Sequence, residues 1–226
     1  MNKMKFLKIP LSELKKMKKL RLDNCVPSND AHYDTIVAYI HPNPLVRWIF
    51  WKRLKLMLML SLKAERVLDF GSGSGVFLYS LCKNFKEVYG LDVATKSMNY
   101  IKKKFKLNNL KIIKNRGEKL PFKDRFFDIV YAADVLEHMD NPQIIYQELN
   151  RIIKPGGCLI VSGPTENLIY ELAKKIIFRR KSASEHYYNI DNVINETSKF
   201  FTIEKIKIIP LRIIAGFKIF RAINNK

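Results

Sequence analysis

The chain has 226 residues, with 41 Lys and Arg against 21 Asp and Glu and a net charge of +20. That length suits one α/β domain with an extension. The longest strongly apolar stretch near the front, Leu56 to Leu62, has seven residues, far below the roughly 20 of a spanning helix, which excludes a helical membrane span there.

Targeting and redox signals point the same way. Met1–Leu20 interleaves lysine with apolar residues and lacks a signal-peptide core. Cys25, Cys82 and Cys158 lie far apart, without metal spacing or a disulfide framework. With four scattered histidines, they predict a reducing, cytoplasmic setting and no structural metal.

The charge is uneven. Residues 1–60 and residues 174–226 each hold 12 cations against 4 acids, while residues 61–173 carry only +4. Three readings stand: compositional drift toward lysine, attachment to an anionic membrane surface, and nucleic-acid binding, the last being the least favoured. The basic segment 1–60 reads as a helical extension or lid, and 61–226 as the main domain. Within the extension, His41-Pro42-Asn43-Pro44 signals a turn, and Leu45–Lys55 places Trp48, Phe50 and Trp51 beside four cations. That composition suits a helix lying in a headgroup layer. It suits equally a helix that caps the sheet, the better reading for Leu54 to Leu62.

Strands are expected at 66–70, 87–92, 110–114, 126–132 and 157–163, with helices at about 75–84, 95–106 and 141–153. The last helix opens with Asn141-Pro142, a cap followed by proline. Charges interrupt the apolar tail every few residues, so Phe200–Ile209 and Gly216–Ala222 read as two closing strands rather than an anchor. Alternating strands and helices imply a doubly wound, mostly parallel sheet.

The run Val67-Leu68-Asp69-Phe70-Gly71-Ser72-Gly73-Ser74-Gly75 turns a buried strand into a glycine loop. Glycines there admit a ligand to the main chain, and a following helix is expected to offer unpaired N–H groups and its positive end. A dinucleotide fingerprint requires glycine where Val76 stands. Asp92 ends the second strand 21 residues after Gly71, the distance at which a βαβ unit brings a carboxylate to a ribose diol. A nucleotide or nucleoside site follows.

These residues resemble the first two motifs of the class I S-adenosylmethionine-dependent methyltransferases. Gly117-Glu118-Lys119-Leu120-Pro121-Phe122 is similar to that family's adenine loop. Phe127–Val130 and Val135-Leu136-Glu137-His138 are similar to its fourth strand and exit, and Lys154-Pro155-Gly156-Gly157 to the turn into the fifth. The resemblance implies a seven-stranded, Rossmann-like sheet and S-adenosyl-L-methionine as cofactor. It implies cofactor contacts from Asp69, Gly71, Ser72, Gly73, Gly75, Asp92, Val93, Gly117, Glu118 and Asp134. Arg116 stands where relatives often carry an acid; an arginine cannot accept a hydrogen bond, so it is expected to be solvated.

Methyl transfer from a sulfonium needs chiefly alignment, with a general base only for an acceptor that must lose a proton. The catalytic candidates are His138 and Glu137 at the fourth-strand exit, and His186 in Glu185-His186-Tyr187-Tyr188. A histidine ordinarily titrates near pH 6.5, although His138 also reads as a structural cap. His32 with Tyr33, or Tyr39 with His41, would serve if the extension folds as a lid. The Val-Leu-Glu-His exit lacks the Pro-Pro clamp of nucleobase amino methylation, which favours a small or lipid-like acceptor. RNA or protein methylation, a non-catalytic cofactor-binding module and a nicotinamide-dependent oxidoreductase are the rival readings.

Overall fold

The computed structural model describes residues 4–20, 36–117, 119–139, 141–165, 189–210 and 215–226. The extension forms α1 (Leu11–Lys19), α2 (Val37–Ile40) and α3 (Pro44–Met59). Then come β1 (Arg66–Phe70), α4 (Leu78–Cys82), β2 (Glu87–Asp92), α5 (Lys96–Lys104), β3 (Leu110–Lys114) and β4 (Phe127–Ala133). A 3-10 turn at Leu136–His138 leads into α6 (Pro142–Ile152) and β5 (Ile153–Pro164). The chain closes with α7 (Ile190–Ser198), β6 (Thr202–Pro210) and β7 (Ala215–Ile223).

The seven strands form one sheet in the order β3-β2-β1-β4-β5-β7-β6. β1 to β5 are mutually parallel, and β7 runs antiparallel between β5 and β6. The strand order reverses between β1 and β4, the switch point where open α/β sheets receive ligands. Register aligns the carboxyl ends: Phe70 faces Leu91 of β2 on one side and Ala132 of β4 on the other.

Alternation along the strands sends side chains to two cores. Val67, Ile129, Tyr131, Ile160 and Ile219 join α1 to α5 on one face. Leu68, Phe70, Val130, Leu159 and Phe220 join α6 and α7 on the other. Central strands buried on both faces therefore carry near-continuous apolar runs.

The extension shares the first core through Ile9, Leu14, Met17, Trp51, Leu54, Met57 and Leu58. Its leading segment docks on α4 through side chains that act as backbone partners. The Leu7 N–H donates to Ser80 Oγ at 2.7 Å, and Ser80 Oγ donates back to the Leu7 carbonyl at 2.7 Å. Asn84 forms the equivalent pair with Lys5 at 2.8 and 2.9 Å. Farther along, Glu13 of α1 accepts from Tyr100 of α5 at 3.0 Å and pairs with Lys104 at 3.3 Å.

The closing strands fall where expected, while several boundaries shift. β5 begins at Ile153, not 157, because Ile153 already pairs with Phe127 and the ladder slips before Ile129. Gly156, at φ +71°, takes up the irregularity and donates to the Asn224 carbonyl at 2.7 Å. α4 starts only at Leu78, since residues 71–77 are spent on the loop. Asn141 stands at the N-cap of α6 with Pro142 after it, but its side chain makes no capping bond. α7 was not foreseen; Asn189 caps it by accepting from the Asn192 N–H at 2.9 Å. Among the described residues, no helix is long and apolar enough to cross a membrane.

Candidate cofactor and acceptor site

The glycine loop after β1 is built from main-chain bonds. Gly71, Gly73 and Gly75 have φ of +70°, +51° and +75°, a region that strains any side chain. The N–H groups of Gly71 and Ser72 both donate to the Leu91 carbonyl, at 2.9 and 3.0 Å. The Gly75 N–H donates to the Ser72 carbonyl at 2.8 Å, and Ser72 Oγ to the Asp69 carbonyl at 2.7 Å. This corrects the expectation of a helix end with unpaired amides. The loop's N–H groups are largely satisfied within the protein, and α4 is short and begins three residues beyond Gly75. What the loop offers a ligand is a surface without Cβ atoms.

Asp92 is the fixed acid of the site. One carboxylate oxygen accepts from the Gly73 N–H at 2.8 Å and the other from the Ala94 N–H at 3.0 Å. Each oxygen keeps a second lone pair, which suits two hydroxyl donors on a diol. Burial raises the Asp92 carboxyl above its ordinary range, against the pull of these amides. Val93 follows with 39 % of its surface exposed, an apolar shelf beside the acid.

The loop after β3 is shaped by Asn115. Its side chain accepts from the Gly117 N–H at 2.6 Å and donates to the Lys119 carbonyl at 3.1 Å, while its own N–H reaches the Asp92 carbonyl at 3.1 Å. Gly117 has φ +100°, and a Cβ there would meet Phe70 Cζ at 3.1 Å. Arg116 is exposed, in keeping with its solvated reading, and Glu118 lies outside the described residues.

Asp69 and Asp134 complete the row. Asp69 is 2 % exposed, and burial pushes its carboxyl up to about 7, with Arg53 opposing and Asp92 reinforcing the rise. Asp134 leaves β4 at φ +52°, donates its N–H to the Ser162 carbonyl at 2.9 Å and forms an ion pair with Arg53. Arg53 is 4 % exposed and comes from α3. It donates to the Tyr39 hydroxyl at 3.1 Å and lies over the rings of Phe50 and Phe217, 5.2 and 5.0 Å from their centroids.

Of the catalytic candidates, Glu137 and His138 share one 3-10 turn. His138 is half-buried on the 3-10 turn, its N–H donating to the Val135 carbonyl at 3.2 Å. Glu137 is 2 % exposed, near enough to Tyr146 of α6 for its charge to help raise that phenol. The Tyr39 hydroxyl accepts from Arg53 of α3, and His41 Nδ1 accepts from the Asn43 N–H at 3.1 Å, which ties His41 to the turn before α3. His186 with its neighbours Glu185, Tyr187 and Tyr188, and His32 with Tyr33, lie outside the described residues. Reading the sequence missed Arg53, Asn115 and the contact of Gly71 with Val135. For Arg53 the one available signal is a cation at a core position of an otherwise apolar helix face.

A family profile described as a methyltransferase domain matches residues 68–161, the span that carries the glycine loop, Asp92 and the β4 exit. The demethylmenaquinone methyltransferase of Geobacillus kaustophilus is 31 % identical over 144 residues, 60 % of this chain and 60 % of its own length. Across that span the chain is similar to S-adenosylmethionine-dependent methyltransferases. An uncharacterized protein of Methanocaldococcus jannaschii is 37 % identical over 151 residues, 64 % of this chain and 62 % of its own length. The chain thus spans about three-fifths of the length of these curated relatives. Among solved structures, the N-methyltransferase NodS from Bradyrhizobium japonicum WM9, in complex with S-adenosyl-L-homocysteine, superposes with a TM-score of 0.66. The superposition covers 92 % of this chain and 98 % of NodS at 16 % identity, a likeness of fold. The cradle has the parts that S-adenosylmethionine would need: a loop without Cβ atoms, a carboxylate fixed with lone pairs to spare, and an exposed apolar side chain after it.

Proposed function

We propose that this chain is a methyltransferase that moves a methyl group from S-adenosylmethionine to a small or lipid-like acceptor. The observation that carries the reading is the row at the carboxyl ends of β1, β2 and β4, where Asp92 is fixed by two amides with lone pairs to spare. Gly71, Ser72, Gly73 and Gly75 would line one side of the cofactor, Asp92 would accept from its ribose hydroxyls, and Val93 and Gly117 would flank its adenine. When bound, S-adenosylmethionine supplies a sulfonium methyl whose bond to sulfur breaks as the acceptor's lone pair attacks, the electron pair staying on sulfur.

Asp134, oriented by Arg53, bounds the far end of this row. His138, one turn beyond, accepts the proton of a hydroxyl or ammonium acceptor. Residues 1–60 act as a lid that holds Arg53 against this end, and residues 61–226 supply the catalytic sheet. The acceptor class is supported by the β4 exit and by the name of the menaquinone-modifying relative.

The test is incubation with methyl-labelled S-adenosylmethionine and source-cell extract, followed by partition of the label. Label in organic or small aqueous molecules supports the reading; label in RNA or protein overturns the acceptor class. Retained S-adenosylhomocysteine binding with no labelled product overturns catalysis and leaves a binding module. In His138→Ala, kcat is expected to fall about 10²–10⁴-fold with cofactor affinity unchanged.

A further inference from the structure

The helix α3 is apolar on two opposite faces. Leu54, Met57 and Leu58 are buried in the sheet core, at 1 %, 0 % and 1 % exposure. On the other side Leu45, Trp48, Lys52, Lys55 and Met59 recur at spacings of three and four, so they form one stripe along the helix. Leu45, Trp48 and Met59 are 57 %, 44 % and 64 % exposed. The stripe spans 14 residue steps, about 21 Å at 1.5 Å per residue. The Lys52 ammonium lies 4.3 Å from the Trp48 ring centroid, so cation and aromatic ring occupy one surface.

A second element borders the stripe at Trp48. A groove of about 450 Å³ runs between the segment Lys8–Leu14 and the start of α3, lined in part by Lys8, Leu11, Arg47, Trp48 and Trp51. Leu11 at its rim is 42 % exposed. Across the described residues 4–20 and 36–60 there are ten cations and one carboxylate, Glu13, and Glu13 is turned to Tyr100 and Lys104 of α5. Among the described residues of the extension, this face therefore combines aliphatic, tryptophan and lysine groups with no acid.

We infer that this face of the extension docks on the surface of an anionic phospholipid bilayer. The occupant follows from complementarity. Leu11, Leu45 and Met59 need an apolar phase, which a nucleic acid does not offer, while a second copy of so basic a face would repel the first. A bilayer supplies both, with acyl chains for the aliphatic groups, an interfacial zone for tryptophan and phosphates for the lysines. Each lysine held near an anionic surface strengthens binding about fivefold. Docking there would place the Arg53–Asp134 end of the site, reached through the same helix, next to the layer in which lipid-like acceptors dissolve.

The experiment is sedimentation of the full chain with phosphatidylcholine vesicles prepared with and without phosphatidylglycerol. Wild type is expected to partition onto the phosphatidylglycerol vesicles at least about tenfold more strongly than onto phosphatidylcholine alone. Leu45→Ser/Trp48→Ser/Met59→Ser should lower that partition at least about tenfold, and Lys52→Gln/Lys55→Gln about fivefold per lysine. Unfolding temperature and S-adenosylhomocysteine affinity, measured on the same preparations, should hold constant, which separates loss of docking from loss of the methyltransferase site. Equal partition onto both vesicles, or a stripe variant that sediments like wild type, overturns the proposal. Tight binding to single-stranded RNA without vesicle partition also overturns it and assigns the face to nucleic acid.

Discussion

The loops that follow β1 and β4 touch at Gly71 and Val135, yet they are held by opposite means. The first is closed by its own neighbourhood: Gly71 and Ser72 bond Leu91, Gly73 bonds Asp92, and three glycines carry the left-handed turns. The second has a non-glycine residue, Asp134, in the left-handed region and depends on Arg53, which is 81 positions earlier in the chain. One half of the site is thus written in adjacent residues, while the other is assembled by packing the extension onto the sheet. Perturbing the first should act through backbone geometry, and perturbing the second through a long-range charge pair.

The largest effect is expected at their contact. In Gly71→Ala a Cβ would lie 2.8 Å from Val135 Cβ, on a backbone at φ +70°. Clash and left-handed strain together predict a loss of about 3 kcal/mol or more, read as a lower unfolding temperature and loss of S-adenosylhomocysteine binding in calorimetry. Adding Val135→Ala, which removes both γ-methyls but keeps the Cβ, should relieve only part of the clash. Full rescue would show that the backbone conformation contributes nothing and that the two loops are not held by different means.

Arg53→Met tests the other half. It leaves Asp134, in a left-handed backbone conformation, without its cationic partner and, among the described residues, with only Ser162 Oγ, at 3.4 Å, on its carboxylate. Because Asp134 is 29 % exposed, water softens the effect to about 2–3 kcal/mol. In a double-mutant cycle, Asp134→Asn should recover much of that loss, a coupling that denaturant titration of the four proteins would measure. Additive losses would mean that Arg53 acts only by packing under Phe50 and Phe217.

This contrast also explains how much could be read in advance. The five parallel strands, the glycine loop and Asp92 were legible because each is specified within a few residues by apolar runs, glycine spacing and a strand-terminal acid. The closing pair was legible from charges breaking the apolar tail. By contrast, Arg53 sits among Trp51, Leu54 and Met57 with nothing local to separate a buried cation from a solvated one. α7 was missed because its apolar positions, Ile190, Val193 and Ile194, follow a polar stretch, and its Asn189 cap resembles an ordinary turn residue. The two uses of α3 were legible as alternatives only. Its composition suits a core face and a surface face alike, and packing assigned Trp51 to one and Trp48 to the other.

A smaller effect is expected from Asp92→Ala, which removes the acceptor for Gly73 and Ala94 as well as the diol partner. Cofactor affinity should fall by about 2 kcal/mol, or roughly thirtyfold, with some loss of stability as well, because the Gly73 and Ala94 amides lose their acceptor. An unchanged dissociation constant would displace the ribose from β2 and leave the glycine loop without a stated ligand.

The smallest effect concerns Asp69, which lies under the first loop yet feels the second through Arg53. Its carboxyl titrates at about 7 when folded, against about 4 in an unfolded chain. Because the folded value is the higher one, the native state holds the proton more tightly. The resulting stability is complete below the unfolded pKa and is lost as pH rises through the folded pKa. Between pH 6 and pH 8 the protein without ligand should therefore lose about 1–2 kcal/mol from this group, and Asp69→Asn should flatten that part of the profile. The neighbours set the direction of the residual shifts. Ser72 and, more weakly, Arg53 hold the pKa down, so Arg53→Met should move the midpoint upward, whereas Asp92→Ala should move it downward. Unfolding temperatures recorded across pH for the three variants would reveal whether one buried acid couples the two loops, and three superimposable midpoints would show that each loop is electrostatically alone.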